Sequence, residues 1–199
     1  VAESHEFPLI NVSVTFKGGD SLDPAATPGL ASMMARMVRE GGAGDMNPAT
    51  FDEKLDFLAT EMSVSSGNTF TTARMNSLSD NFDESLKLFV TMLRKPAFDK
   101  QRLEVVKARL LESLKQRNDN ASSILAREWK AMLYGRKHFE ASQPTALSVE
   151  EISREQLQKI HAQIIHPGNM IVAVSGDFAV EEMLEKLAKA FDAWERGAV

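Results

Sequence analysis

The chain has 199 residues, of which 43% are hydrophobic, with 23 basic and 28 acidic side chains, a net charge of -5 and no cysteine. That length supports one large domain or two small ones, with enough apolar content for a real core. The absence of a basic block argues against nucleic acid as a partner. The absence of cysteine excludes disulfides, thiolate metal sites and cysteine nucleophiles. No apolar run reaches membrane-spanning length, so no membrane partner is expected, and the amino terminus carries no signal-peptide pattern. The chain starts on Val1-Ala2-Glu3-Ser4 without methionine and stops on Gly197-Ala198-Val199. This reads as a cut from a longer protein, with any targeting segment outside it.

Ile10, Val12, Val14 and Phe16 alternate with Asn11, Ser13 and Thr15, which predicts a strand with one buried face. Gly18-Gly19-Asp20 and Asp23-Pro24 form the following loop. Thr27 then caps a helix whose first turn holds Pro28 and whose stripe is Leu30, Met33, Met34 and Met37. Gly41-Gly42 ends it. Asn47 caps a second helix that opens on Pro48 and turns Phe51, Leu55 and Leu58 inward. Two β-rich stretches, 62–65 and 69–78, form strands joined near Gly67-Asn68.

Helical stripes follow. Leu86, Phe89, Val90 and Leu93 run to Lys95-Pro96. Leu103, Val106, Leu110 and Leu114 follow Asp99. Ile124 or Leu125, Trp129 and Leu133 run to Tyr134-Gly135. Ser148-x-x-Glu151 and Ser153-x-x-Gln156 are capping-box patterns, the second opening a helix with Leu157, Ile160 and Ile164. The continuous run from Met170 to Val174 reads as a central strand, and a last helix carries Met183, Leu184, Leu187 and Phe191. Helices outnumber strands, and strands come in non-alternating groups. The expected class is α+β, an antiparallel or mixed sheet with helices on one side.

In order and spacing these segments resemble the amino-terminal domain of the insulinase (pitrilysin, mitochondrial processing peptidase) family of zinc peptidases. The matching pieces are residues 8–16, Gly18-Gly19-Asp20, Pro28-Gly29-Leu30-Ala31, Leu55-Asp56-Phe57-Leu58-Ala59, Lys95-Pro96-Ala97-Phe98, His166-Pro167-Gly168-Asn169, Val174-Ser175-Gly176-Asp177 and Phe191-Asp192-Ala193-Trp194. The resemblance implies a LuxS/processing-peptidase-like metallohydrolase fold, an antiparallel sheet with helices on one face, and a first strand lying just before Val1. It implies that residues 1–199 are one domain, the N-terminal half of a longer two-domain chain. The family places an inverted zinc motif, His-x-x-Glu-His, on the helix after Pro28. Here those positions read Ser32, Ala35 and Arg36. The family's third ligand falls at Glu112 or Ser113 on the later helix.

A catalytic zinc takes three protein ligands from His, Glu, Asp or Cys and keeps one position for water. Arg36 would place a fixed cation at the metal, repelling it by ~1 to 4 kcal/mol even at high effective dielectric. Ala35 cannot act as general base. The expectation is therefore a catalytically inactive domain without a metal or cofactor of its own. Its partners would be a second similar domain in the same chain and an active, zinc-holding peptidase subunit in a heterodimer. It would form part of the proteolytic chamber or bind peptide substrate by β-augmentation. The resemblance to paired bacterial proteases implies a periplasmic or secreted location. The alternative is a scaffold or interaction module without a role in proteolysis; a third reading is a hydrolase with an unrecognised site.

Rival sites read as ordinary structure. His5, His138, His161 and His166 do not cluster, which suits turn and surface histidines. Asp45, Asp52, Asp56 and Glu61 fit the solvated face of an amphipathic helix. Ser63, Ser65 and Ser66 lack a nucleophile elbow and fit a strand. Gly41-Gly42-Ala43-Gly44 lacks the lysine of a phosphate loop. The ten methionines fit core filling.

Overall fold

A computed structural model of the protein describes residues 1–192 and 194. Ala193 of the expected closing segment, and the terminal Gly197-Ala198-Val199, lie outside the described residues. The strands are β1 (Ala2–Glu3), β2 (Leu9–Lys17), β3 (Glu61–Ser66), β4 (Phe70–Leu78) and β5 (Met170–Gly176). The helices are α1 (Leu30–Glu40), α2 (Pro48–Phe57), α3 (Phe82–Arg94), α4 (Lys100–Gln116), α5 (Ala121–Tyr134), α6 (Ala146–Glu151), α7 (Arg154–Ile164) and α8 (Val180–Asp192).

The strands make one sheet in the order β1-β5-β2-β4-β3. β1 runs parallel to β5, and the other pairings are antiparallel. Register sorts the two faces. Val12 lies between Met75 and Val174, and all three are buried under the helices. Asn11 lies between Asn76 and Ser175 in a polar row on the open face. The period-2 pattern of β2 thus puts one face on the helices and leaves the other to solvent, as the α+β reading expects. Phe16, Phe51, Phe82, Phe89 and Phe98 are fully buried in this core. Truncating any one to alanine costs ~3–5 kcal/mol.

Several local signals work as read. Asn47, Asp99 and Ser153 accept from the backbone N–H groups of Thr50, Arg102 and Gln156 at the starts of α2, α4 and α7. Others need correction. Thr27 does not cap α1: its hydroxyl is buried without a partner. Gly29 is the N-cap, at φ 92, and the cap comes from further away. The Asp23 carboxylate accepts from Gly29 N–H at 2.6 Å and Ala31 N–H at 2.8 Å. The box at α6 joins Thr145 to Ser148, so Ser148 sits three residues inside the helix rather than at its cap. β5 is second from the sheet edge, not central, and Ile171 is 70% exposed on its open face.

The histidines also differ from expectation. His5 and His138 are exposed, but His161 and His166 are buried. His161 Nε2 lies 2.8 Å from the Leu93 carbonyl, joining α7 to the end of α3, and its ring meets Phe98 edge-on. The stripe on α5 is real but faces outward: Leu125, Trp129, Met132 and Leu133 are 55–78% exposed. On α8 only Met183 is fully buried.

Two groups, the buried His161 and the half-buried Asp23, should pull the pH dependence of stability in opposite directions. Burial holds His161 below its ordinary value near 6.5, with the Leu93 bond opposing. Between its folded and unfolded pKa values the unfolded chain binds more protons, so this stability is lost as pH falls below about 6.5. Burial pushes the Asp23 carboxyl up to about 6, against the opposing bonds from Ala31 and Gly29. Between about pH 4 and 6 the native state binds the extra proton, so this contribution grows as pH falls. Denaturant titrations of wild type, His161→Gln and Asp23→Asn across this range separate the two. His161→Gln should remove the acid loss, and Asp23→Asn the opposing gain. Parallel curves for wild type and either variant would contradict that assignment.

Candidate functional site

α1 lies beside the edge strand β3, and a cleft of about 330 Å³ opens between them. It is lined by Ser32, Arg36, Arg39 and Glu40 of α1 and residues 62–66 of β3. Ser32, Arg36 and Glu40 recur every fourth residue, so they share one helix face. The Ser32 hydroxyl donates to Asp20 at 3.1 Å. Burial raises the Asp20 carboxyl above its ordinary range, and the bond from Ser32 partly offsets this. Ala35 is buried, at 1% exposure. Arg36 is exposed on the cleft and makes no ion pair among the described residues.

Glu40 closes one end of that face. Its carboxylate lies 2.8 Å from Arg102 and 3.4 Å from Arg109, both on α4. At 100° per residue, Ser113 lies on the same α4 face as Arg102, Val106 and Arg109. Its hydroxyl donates to the Leu110 carbonyl. Glu112 lies about a quarter-turn away. Its carboxylate pairs with Lys115 at 2.9 Å, which lowers its pKa. An Arg36–Glu112 bridge, natural if the two stood in for a ligand pair, is absent; Arg36 instead extends to the surface.

Arg39 went unnoticed in the sequence and organises this end of the sheet. Its guanidinium donates to Asp52 at 2.7 Å and to the Met62 carbonyl at 3.0 Å, and lies 5.7 Å from the Phe51 ring centre. The signal available was its position three residues after Arg36. The bond to Met62 also reveals which backbone groups of β3 are free. Ser63 is paired with Arg74 on β4, and Gly67 N–H donates to the Phe70 carbonyl. Successive residues of a strand alternate direction, so Met62, Val64 and Ser66 point their N–H and C=O groups away from β4. Arg39 takes one of these acceptors, leaving the edge open at Val64 and Ser66.

Ser32, Ala35 and Arg36 together do not suit zinc. Ser32 is a neutral hydroxyl already bonded to Asp20, Ala35 offers no donor, and Arg36 is a cation. Among the described residues no three His, Cys, Asp or Glu side chains are grouped to hold a metal. The histidines lie elsewhere. His5 bridges Glu3 at 2.8 Å and Asp177 at 2.6 Å, and those bonds, Asp177 first, raise its pKa. His138 stacks on Tyr134. The acidic candidates disperse: Asp52 and Asp56 lie on α2, Asp45 precedes it and Glu61 begins β3. Ser63, Ser65 and Ser66 are strand residues. The glycine loop is a structural clasp. Gly44 N–H donates to the Lys95 carbonyl, and Gly41 and Gly42 carbonyls accept from Asp99 and Ala97.

Comparison with known proteins gives the family. Residues 1–146 match the family described as Insulinase (Peptidase family M16), and residues 151–198 match the Peptidase M16 inactive domain. A curated relative, the non-peptidase homolog YmxG of Helicobacter pylori, is 24% identical over 98% of this chain and 45% of its own length. A crystal structure of a peptidase M16 inactive domain from Pseudomonas fluorescens superposes with TM-score 0.92 at 25% identity, over 100% of this chain and 48% of that one. The periplasmic protease PqqL of Escherichia coli shares the fold, with TM-score 0.84 at 12% identity over 100% of this chain and 22% of its own. The chain thus spans about half the length of the first two.

Rebuilding the zinc motif should be costly because Ala35 is buried. Wild type should retain no zinc after dialysis against the metal, measured by elemental analysis. Ser32→His, Ala35→Glu and Arg36→His made with Ser113→Glu should lose ~1–3 kcal/mol of stability from overpacking at position 35. Ser32→His with Arg36→His alone, both on the exposed face, should melt near wild type. One tightly held zinc per wild-type chain would refute the metal assignment, and a quadruple variant as stable as wild type would refute the packing argument.

Proposed function

The chain belongs to the insulinase family, peptidase family M16, and from that premise we propose that it is a non-catalytic domain that holds peptide for an active partner. The observation that carries this reading is the free edge of β3 beside a helix face without metal donors. An extended peptide entering the cleft meets the outward N–H and C=O groups of Val64 and Ser66 and adds a strand to the sheet. Arg39 stops the added strand at Met62. Ser32 and Arg36 border the peptide where an active member would hold its metal and base, so the bound chain is retained without being cut.

In this reading residues 1–199 are one peptidase-like unit, followed by a second similar domain in a longer chain. An active subunit supplies the zinc and a complete motif across a shared chamber. A periplasmic setting follows the neighbour PqqL, described as a periplasmic protease. The outward stripe of Leu125, Trp129, Met132 and Leu133 on α5 supports apposition to another domain, since exposed apolar patches mark interaction surfaces. The same stripe favours the second reading, a scaffold that joins other proteins and touches no substrate.

Val64→Pro separates the two. The Val64 N–H faces away from β4, so proline there spares the ladder within the sheet. Val64→Ala keeps the N–H and controls for the lost side chain. Peptide affinity, by fluorescence anisotropy, should fall at least about tenfold in Val64→Pro and little in Val64→Ala, a difference of ~1.4 kcal/mol. Turnover by an active family partner should rise with the wild-type chain and not with Val64→Pro. Equal stimulation by both, with folding confirmed by circular dichroism, would favour the scaffold.

A further inference from the structure

A second concavity lies on the other side of the helical layer. It holds about 970 Å³ between α3, α8 and the Gly44–Asp45–Met46 turn. Its rim carries Lys54, Lys87, Arg94, Lys95, Lys186 and Lys189, with Asp45 and Asp83 as the acidic side chains. Lys186 is already paired with Asp83 at 2.5 Å. Lys54, Lys87, Arg94, Lys95 and Lys189 make no ion pair among the described residues. Such a concentration of positive charge is notable in a chain of net charge -5. The floor is apolar, formed by Met46, Leu86, Val90 and Ala190. Gly44, at φ 58, stands on the wall with no side chain to obstruct it.

We infer that this cleft binds an acidic peptide segment that carries an apolar anchor residue. Three features select that ligand. The positions on α3 run from Asp83 to Arg94 along one stripe, about 16 Å at ~1.5 Å per residue. A single carboxylate or phosphate head reaches only part of such a row, whereas an extended peptide of about five residues spans it. The apolar floor offers a seat for one or two hydrophobic side chains among the charges. The cations surround a hollow, so a flat anionic bilayer would touch only the rim. No aromatic side chain lines the cleft to stack a base, which disfavours single-stranded nucleic acid. The site is separate from the β3 edge, and its occupant need not be the peptide held there.

The test is anisotropy titration of the chain with a labelled peptide of alternating glutamate and leucine, beside the same peptide with glutamine for glutamate. The glutamate peptide should bind, more weakly as salt rises, and the glutamine peptide at least about tenfold more weakly. Lys87→Glu with Arg94→Glu should reduce affinity at least about tenfold, and Val90→Asn severalfold, because the first removes charge and the second the floor. Lys115→Glu, on α4 outside the cleft, should leave it unchanged. If the double reversal lowers the melting temperature, Lys87→Gln and Arg94→Gln made singly carry the same comparison. Equal binding of the two peptides, no binding of the glutamate peptide, or indifference to the cleft variants would overturn the inference. So would tighter binding of oligothymidylate or anionic vesicles.

Discussion

α1 buries seven of its eleven residues, and that burial constrains everything near the cleft. A helix so deeply set between sheet and neighbouring helices has little surface to spare for chemistry. Its first N–H groups must find acceptors out of solvent, and the Asp23 carboxylate supplies two. That arrangement fixes where α1 starts, and hence which side chains face β3. Ser32, Arg36 and Glu40 are left on the cleft, while Ala35 is turned into the protein. What the domain can do at this place follows from those few side chains.

Arg39 links that helix to the sheet. By holding Asp52, lying against Phe51 and bonding the Met62 carbonyl, it joins α1, α2 and β3 through one planar group. The same bond partly covers a free strand edge, a usual protection against uncontrolled pairing. The remaining groups at Val64 and Ser66 are few enough to avoid a long sticky edge.

Periodicity and capping chemistry made much of the fold legible. β2 alternates because one face is covered, and Asn47, Asp99 and Ser153 cap because their acceptors sit three residues from the N–H groups they serve. The cap of α1 was hidden because Asp23 acts across six and eight positions, through a loop whose path only the fold determines. The α5 stripe shows a related limit: periodicity identifies an apolar face without saying what covers it. At the candidate site, the expectation that Ser32, Ala35 and Arg36 stand at zinc-motif positions rests on the family resemblance alone. The burial of Ala35 and the bond from Arg39 to Met62 depend on tertiary packing, and no local pattern encodes them.

Different side chains stand along the β1 and β3 sides of the sheet. On the β1 side, His5 bridges the exposed carboxylates of Glu3 and Asp177. A charged cluster at an edge discourages addition of another strand there. On the β3 side, the edge runs six residues, rich in serine, with α1 standing over it. A peptide added to this sheet therefore meets least electrostatic opposition at β3. In the proposed mode its backbone would lie along Val64 and Ser66, beside Ser32 and Arg36. The proposed retention without cleavage would follow from that edge lying beside a helix face that offers no metal donor set.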